Sequence, residues 1–264
     1  MTESEGAAGR HQPERSEVAD VASRWLGGIV FTPGLMAFTG RIGDAAAHAH
    51  AAVQVLFVAR GNLTLIDAAG NTTPATVAII PPGVTHRVRA DPDTSGFVAF
   101  LDPDSTTAHA ALTRLAGMPA AAATSWIAAA IPGRGYPHSA PPPGGPRRCH
   151  PVVTDALQRA ADWVGGPPSL TELAAQVGIS PSRLSHVVAD QIGLPYAAWR
   201  RWTRLQRGFA VVRDGGSLTD AAHTAGFADS AHLARTCRDL IGITPTEALI
   251  ATGWRPPPIP VQVS

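Results

Sequence analysis

Lysine is absent from the chain, and all 21 basic residues other than histidine are arginines. They face 20 acids, which leaves a net charge of +1, so no global basicity advertises a polyanionic partner. Cysteine is nearly absent too. Cys149 and Cys237 are too few and too far apart for a cysteine-rich zinc module, and both read as free thiols of a reducing cytoplasm. No apolar run approaches the length of a membrane span, and the N-terminus lacks a basic start followed by an apolar stretch. The expectation is a soluble, unexported, cytoplasmic protein with no membrane partner.

What the chain does have is alanine, proline and glycine in abundance, over a length that allows one large or two ordinary domains. Its charge favours two. Residues 1–146 hold 9 arginines against 11 acids, net −2, and residues 147–264 hold 12 against 9, net +3. The sign is that expected for a nucleic-acid-binding second half, and the size makes it minor support.

That second half repeats itself. Ser169-Leu-Thr-Glu-Leu-Ala-Ala-Gln-Val-Gly178 returns as Ser217-Leu-Thr-Asp-Ala-Ala-His-Thr-Ala-Gly226. Each copy reads as a short helix opened by a capping box (Ser169 with Glu172, Ser217 with Asp220) and stopped by its glycine. A second helix follows each glycine. In the first copy Ser180 caps it and Pro181 takes the first helical position; Leu184, Val187, Val188 and Ile192 form the apolar stripe, and Ser182, Arg183, Ser185 and His186 the polar face. In the second, Asp229 is the cap, Leu233, Cys237, Leu240 and Ile241 the stripe, and Ser230, His232, Arg235 and Arg238 lie outside. Helix, glycine turn and a second helix with an exposed polar face is the helix-turn-helix arrangement. Capped helix pairs also occur in bundles with no nucleic-acid role. Two copies shift the balance, as does the helix between them, where Tyr196, Trp199, Trp202 and Phe209 mark a buried side and Arg200, Arg204 and Arg207 a row suited to phosphates.

These residues resemble the AraC/XylS transcriptional regulators over roughly residues 150–250, most specifically at Gly226-Phe227 and Gly242-Ile-Thr-Pro245. The resemblance implies a seven-helix domain whose two reading helices enter successive major-groove segments of double-stranded DNA. Ser182, Arg183, Ser185, His186, Ser230, His232 and Arg235 would be the readers, and Arg200 and Arg204 the phosphate contacts. The sequence departs from the family at Leu233 and Cys237, where phenylalanines are usual, and Ser182, Ser185 and Ser230 are short readers; base specificity, not fold, is what these departures affect.

From Gly27 to Leu101 the pattern becomes strand-like. Runs such as Gln54 to Val58, Leu63 to Ile66, Val77 to Ile80 and Phe97 to Leu101 are separated by turn signals at Ala-Ala-Gly-Asn71 and Pro81-Pro-Gly83, which suggests a β-barrel or jelly roll. Within them His48, His50, Gln54 and Gly61, then Pro81, Gly83 and His86, stand at the spacing of the two motifs of the cupin superfamily, which they resemble. Gln54 replaces the usual glutamate, and Ala75 stands where the second motif opens with glycine. Residues i and i+2 of a strand share a face, so His48 and His50 project together, with Gln54 beside them if the strand continues and His86 closing the set. Three imidazoles and an amide oxygen suit a divalent transition metal (zinc, nickel, iron, manganese or copper) without selecting among them. The neutral amide weakens the attraction for a dication. The alternative is a polar pocket for an organic effector, or none.

The expected organisation is α+β and multidomain: residues 1–20 disordered; a cupin-like sensor barrel over 21–103; helices over 104–131 that pair two subunits into a homodimer or pack on their own barrel; a Pro/Gly-rich linker over 132–150; a DNA-binding domain over 151–252, with a first helix from Val152 to Val164 turning Leu157, Ala160, Trp163 and Val164 inward; and a Pro-rich tail over 253–264. The function expected is a transcription regulator, not an enzyme, whose barrel senses a small molecule or a metal, with RNA polymerase as a partner if it activates. A metal-dependent cupin enzyme carrying a DNA-binding appendage is one alternative; it lacks a candidate general acid near the histidines. A DNA-binding dimer that senses nothing is another.

Overall fold

The computed structural model describes residues 25–32, 34–131 and 151–253. The expectations for residues 1–20, for the linker at 132–150, for Cys149 and for the tail beyond 253 lie outside the described residues. The β-rich half contains β1 Leu26–Thr32, β2 Leu35–Arg41, β3 Ala45–His48, β4 Val53–Arg60, β5 Leu63–Asp67, β6 Thr72–Pro74, β7 Val77–Ile80, β8 His86–Ala90 and β9 Ser95–Leu101. They form two sheets, ordered β1-β2-β9-β4-β7 and β3-β8-β5-β6, with every pairing antiparallel.

Strand alternation builds the core. In β8 His86 and Val88 point in while Arg87 and Arg89 point out, and Leu63 and Leu65 of β5 face inward likewise. Leu56, Leu65, Ile80, Val88 and Val98 are buried with them. The expected turn at Ala-Ala-Gly-Asn71 is closed by Asp67, whose carboxylate accepts from the backbone N–H of Ala69 and Asn71 and from the Asn71 amide at 3.0, 3.0 and 3.1 Å. Between β4 and β5, Gly61 has φ +82°, and a Cβ there would lie 2.6 Å from the Thr94 Cα. Only glycine fits that position.

Two helices follow, α1 Thr106–Thr113 and α2 Ala123–Ala130. Of the two, α2 lies on β7, with Trp126 fully buried and its indole N–H given to Ala120 O at 2.7 Å. Seven further helices follow among the described residues: α3 Pro151–Ala161, α4 Leu170–Gln176, α5 Pro181–Ile192, α6 Tyr196–Arg213, α7 Leu218–Thr224, α8 Ser230–Ile241 and α9 Pro245–Thr252. The first of them stops short of its expected end, and Val164 is 90% exposed rather than inward. The reason lies at the turn. Gly165 and Gly166 take positive φ, and Arg207 of α6 donates to the carbonyls of Ala161 and Trp163 that the unwound turn releases. Leu184, Val188, Trp199, Trp202, Leu205, Ala221, Ala222, Leu233 and Cys237 close the helical core, and burial pushes the Cys237 thiol upward in pKa. No helix among the described residues is long and apolar enough to cross a membrane.

The two halves meet along a continuous seam. Trp202 of α6 donates its indole N–H to Asp102 at 2.9 Å, and the Gln206 amide donates to the same carboxylate oxygen at 2.7 Å. Burial raises the Asp102 pKa, against the lowering effect of those two bonds. Phe100 packs on Trp202 at 5.6 Å between ring centroids, and Phe31 on Phe209 at 6.3 Å. At the other end of the seam, the N–H groups of Ala46 and Ala49 donate to Gly242 O and Asp239 O, at 3.0 and 3.1 Å. The β-rich half therefore caps carbonyls that the end of α8 leaves without a helical partner.

Asp102→Ala strips Trp202 and Gln206 of their shared acceptor and is expected to lower stability by about 1–3 kcal/mol. Urea denaturation of the full chain checks this; an unchanged midpoint would show that the Asp102 contacts contribute nothing to stability.

Candidate nucleic-acid interface and metal centre

Both helix-turn-helix units are built by their caps. Ser169 and Ser217 each accept the backbone N–H three residues on, and Glu172 and Asp220 each accept the cap's own N–H, at 2.7 and 3.0 Å. Ser180 and Asp229 cap the second helices by accepting from Arg183 N–H at 3.2 Å and His232 N–H at 2.6 Å. On α5, Ser182, Arg183 and His186 are exposed and Ser185 is half-buried; on α8, Ser230 and Arg235 are exposed. His232 is half-buried, with its ring edge-on to Phe227 at 5.2 Å. Among the described residues, Arg183 and Arg235 form no ion pair.

The arginine row of α6 has internal partners that the sequence does not announce. Arg200 donates to Pro167 O at 2.7 Å, Arg207 to Trp163 O, and Arg204 is half-buried with its guanidinium 6.0 Å from the Phe227 ring centre. These side chains clamp the Gly165-Gly-Pro-Pro168 connection, two of whose residues have no N–H with which to organise themselves. Arg201, exposed beside the row, pairs with Asp239 at 3.2 Å.

The histidines converge, though by a route other than a continuous strand. His48 ends β3, His50 lies in the connection to β4, Gln54 is on β4 and His86 opens β8. The ligand atoms of the three imidazoles lie within 4.8 Å of one another, and the residues are 4%, 2% and 0% exposed. Each Nδ1 sits against a backbone carbonyl: Ala46 O at 2.7 Å for His48, Ala52 O at 2.8 Å for His50 and Val84 O at 3.2 Å for His86. A carbonyl can only accept, so each Nδ1 carries the proton and each Nε2 presents a lone pair. Carbonyls that orient imidazoles in this way are the usual second layer of a metal site.

Gln54 supplies the fourth donor. Its side-chain oxygen lies 2.9 Å from the Nε2 of both His50 and His86. With those nitrogens unprotonated, acceptor faces acceptor, and only two arrangements satisfy the group. The amide turns over and its NH2 donates to both nitrogens, or a cation stands in for the missing protons. Desolvation pulls the His48 pKa down to about 4, with the charge of His50 acting in the same direction, and burial lowers His50 and His86 as well. The imidazoles are therefore neutral at pH 7, the form that binds metals. The residues fit a divalent transition metal held by His48, His50, His86 and Gln54.

Aromatic rings close the site. Phe100 lies 5.2 Å from His50, Trp126 6.0 Å from His86, and Trp202 of the helical half 6.2 Å from His50. These lids, and Gly242 beside His48, carry no local signal in the sequence, because they come from elements remote along the chain.

Residues 173–249 match the protein family described as a helix-turn-helix domain. The bifunctional transcriptional activator/DNA repair enzyme Ada of Escherichia coli K12 is 29% identical over 107 residues, which are 37% of this chain and 30% of that protein. The chain thus spans under a third of that relative's length. Among solved structures, a transcriptional regulator from Chromobacterium violaceum with an AraC-type DNA-binding domain is 24% identical over 38% of this chain and 93% of its own, with a TM-score of 0.35. ToxT from Vibrio cholerae O395 covers 84% of this chain and 99% of its own at 7% identity and a TM-score of 0.50. That likeness is one of fold.

The lowered histidine pKa values make stability pH-dependent. Below pH 6.5 the unfolded chain takes up protons that the folded metal-free site refuses, so stability is lost as pH falls from 6.5 towards about 4. His48 by itself is expected to cost about 2 kcal/mol between pH 7 and 5. Urea denaturation at the two pH values, with His48→Ala beside the native protein, measures it. An equal pH dependence in the variant would place the linkage elsewhere.

Proposed function

We propose that this chain is a sequence-specific, double-stranded-DNA-binding transcription regulator of the AraC/XylS type, whose cupin-like barrel holds a reversible divalent metal. The observation that carries the proposal is the contact between the two sites. The carbonyl of the residue that caps α8, Gly242 O, accepts from Ala46 N–H, and Ala46 O accepts from the Nδ1–H of His48. One residue separates a metal-ligand imidazole from the end of a DNA-reading helix.

On the DNA side, the capped pairs α4–α5 and α7–α8 present two short polar helices. Ser182, Arg183, Ser185, His186, Ser230, His232 and Arg235 form the reading set, and Arg235 is the residue suited to a bidentate contact with guanine. The clamped α6 arginines orient the two units, and their half-buried heads leave phosphate contact as a minor role for Arg200 and Arg204.

On the metal side, the amide at Gln54 supports reversibility. A carboxylate there would be a buried charge facing neutral imidazoles, whereas the amide satisfies the metal-free site by donating and the loaded site by accepting. A metal polarises its imidazoles and strengthens the Nδ1–H donors, so loading tightens the His48–Ala46 hydrogen bond and holds in place the residue whose N–H caps Gly242 O. The three histidines are no more than 4% exposed and have aromatic rings beside them, which favours a regulatory over a catalytic metal.

The full chain is expected to enrich one motif from a random duplex pool, and Arg235→Ala to relax that motif at one position at a cost of about 1–3 kcal/mol. Uniform weakening on all sequences would reduce Arg235 to a phosphate contact. Elemental analysis after exposure to mixed divalent metals is expected to find metal in the native protein and none in the His48→Ala/His50→Ala variant; equal content would remove the metal from the proposal. Gln54→Glu is expected to hold metal against a chelator that strips the native protein. Equal retention would show that the fourth ligand does not set reversibility.

A further inference from the structure

We infer that the outer face of the β3-β8-β5-β6 sheet, at Arg87 and Arg89 of β8, is a further DNA-contacting surface, which takes the phosphate backbone beside the groove that α8 reads. The inference rests on the regulator reading and extends the contact with DNA to the β-rich half.

A protein that reads DNA places half or more of its hydrogen bonds on phosphate and sugar, because those contacts fix the register in which the bases are read. Here the arginine row of α6 is already committed. Arg200 donates to Pro167 O, Arg207 to Trp163 O, and Arg204 lies half-buried over the Phe227 ring. Backbone contacts have to come from cations elsewhere.

Two of them stand on β8. Strand alternation turns His86 and Val88 into the core and leaves Arg87 and Arg89 exposed on the outer face. Among the described residues neither guanidinium forms a hydrogen bond or an ion pair. Ile66 and Thr64 of β5 stand opposite them, with Thr72 and Pro74 of β6 beyond, so these strands bring no acid to the face. Asp67, the acid of β5, is buried. Asp44, just before β3, already accepts from Ala90 N–H at 2.9 Å. This face is therefore basic within a half of the sequence whose balance is acidic, 9 arginines against 11 acids over residues 1–146.

The face adjoins the far end of α8. β8 pairs with β3, Ala45 opposite Val88 and His48 opposite His86, and Ala46 and Ala49 are the residues that cap the end of α8. Arg87 and Arg238 border one cleft, and Arg238 lies one turn on from Arg235 along the exposed side of the helix. A reading helix meets base edges through its N-terminal residues. With 12 residues α8 is about 18 Å long, against a major groove about 12 Å wide, so its C-terminal end comes to the rim of the groove, where the phosphates run. What packs on that end stands beside the backbone.

Spacing agrees with this partner. Residues two apart on a strand are separated by about 6.6 Å, and one strand of a duplex sets a charge about every 3.4 Å along its axis. Each arginine therefore has a phosphate to itself. An open sheet face suits such an extended polyanion, whereas a small ligand needs a concavity.

The test is the affinity of the full chain for its enriched duplex, followed by fluorescence anisotropy from about 50 to 200 mM salt. Arg87→Ala/Arg89→Ala is expected to enrich the same motif, to bind every sequence more weakly, and to flatten the slope of log K against log salt by about 1.8, or about 0.9 for each phosphate lost. Its deficit at low salt then shrinks roughly tenfold over that range. Arg87→Gln/Arg89→Gln, which keeps polar side chains on the face, is expected to match it, and both to keep the native urea midpoint. Arg60→Ala removes an exposed arginine of β4, in the other sheet, and is expected to retain the native slope. A native slope in both β8 variants overturns the surface, and so does an equal flattening in Arg60→Ala, which would be an effect of net charge alone. A native chain that binds no duplex overturns the regulator reading, and this surface with it.

Discussion

The end of α8 cannot satisfy itself. A helix leaves its last carbonyls without partners, and here two of them, on Asp239 and Gly242, are taken by N–H groups of the barrel's histidine-bearing segment. Gly242 is what permits that approach. At φ +76° it ends the helix in the left-handed region, and a Cβ on it would stand 2.7 Å from both Ala46 O and the His48 imidazole. The position is therefore constrained from two sides. The helix needs a residue that turns left-handed, and the barrel needs one without a side chain. Any substitution there must shift the histidine, the helix end or the seam as a whole.

This arrangement makes the seam a mechanical element. Trp202 belongs to the α6 core, donates to Asp102 of the barrel, and at the same time lies over Phe100 and His50. One indole thus takes part in the helical packing, the closure of the histidine cluster and the contact between the halves. A metal can shift the equilibrium of such a molecule only by its difference in affinity between two arrangements. A cluster enclosed by residues of both halves supplies such a difference, because opening the seam removes the ring that lies over His50 and exposes the site to water.

Much of the helical half was legible because its signals are local. Ser169, Ser180, Ser217 and Asp229 cap helices through contacts three residues away, and the glycines after α4 and α7 act within their own turns. The histidine cluster was legible in its members but not in its route: Ala51 and Ala52 carry the chain round between β3 and β4, so His48 and His50 converge through a connection and not along one strand. What the sequence did not show has one cause, a partner distant in sequence. The α6 arginines look like a phosphate-binding row until the carbonyls of the proline-rich connection are brought against them. Val164 continues an apolar period that Arg207 and the Gly-Gly turn cut short. Likewise, nothing local in α2 shows that β7 is the surface it covers.

The substitution of glutamine for an acid at Gln54 follows from the same enclosure. The seam already buries one carboxylate, Asp102, at the cost of two donors from the helical half. A second carboxylate at residue 54 would face imidazoles whose Nδ1 protons are committed to the backbone, so no N–H in the cluster could neutralise it. Carboxylate and imidazoles would have to take up a proton between them or hold a metal permanently. Permanent occupancy would fix the His48–Ala46–Gly242 connection in one state, and under the proposed function the reading helix would have nothing to respond to. An amide avoids that outcome because it donates in one orientation and accepts in the other, so a closed site of neutral groups can exist with and without its cation.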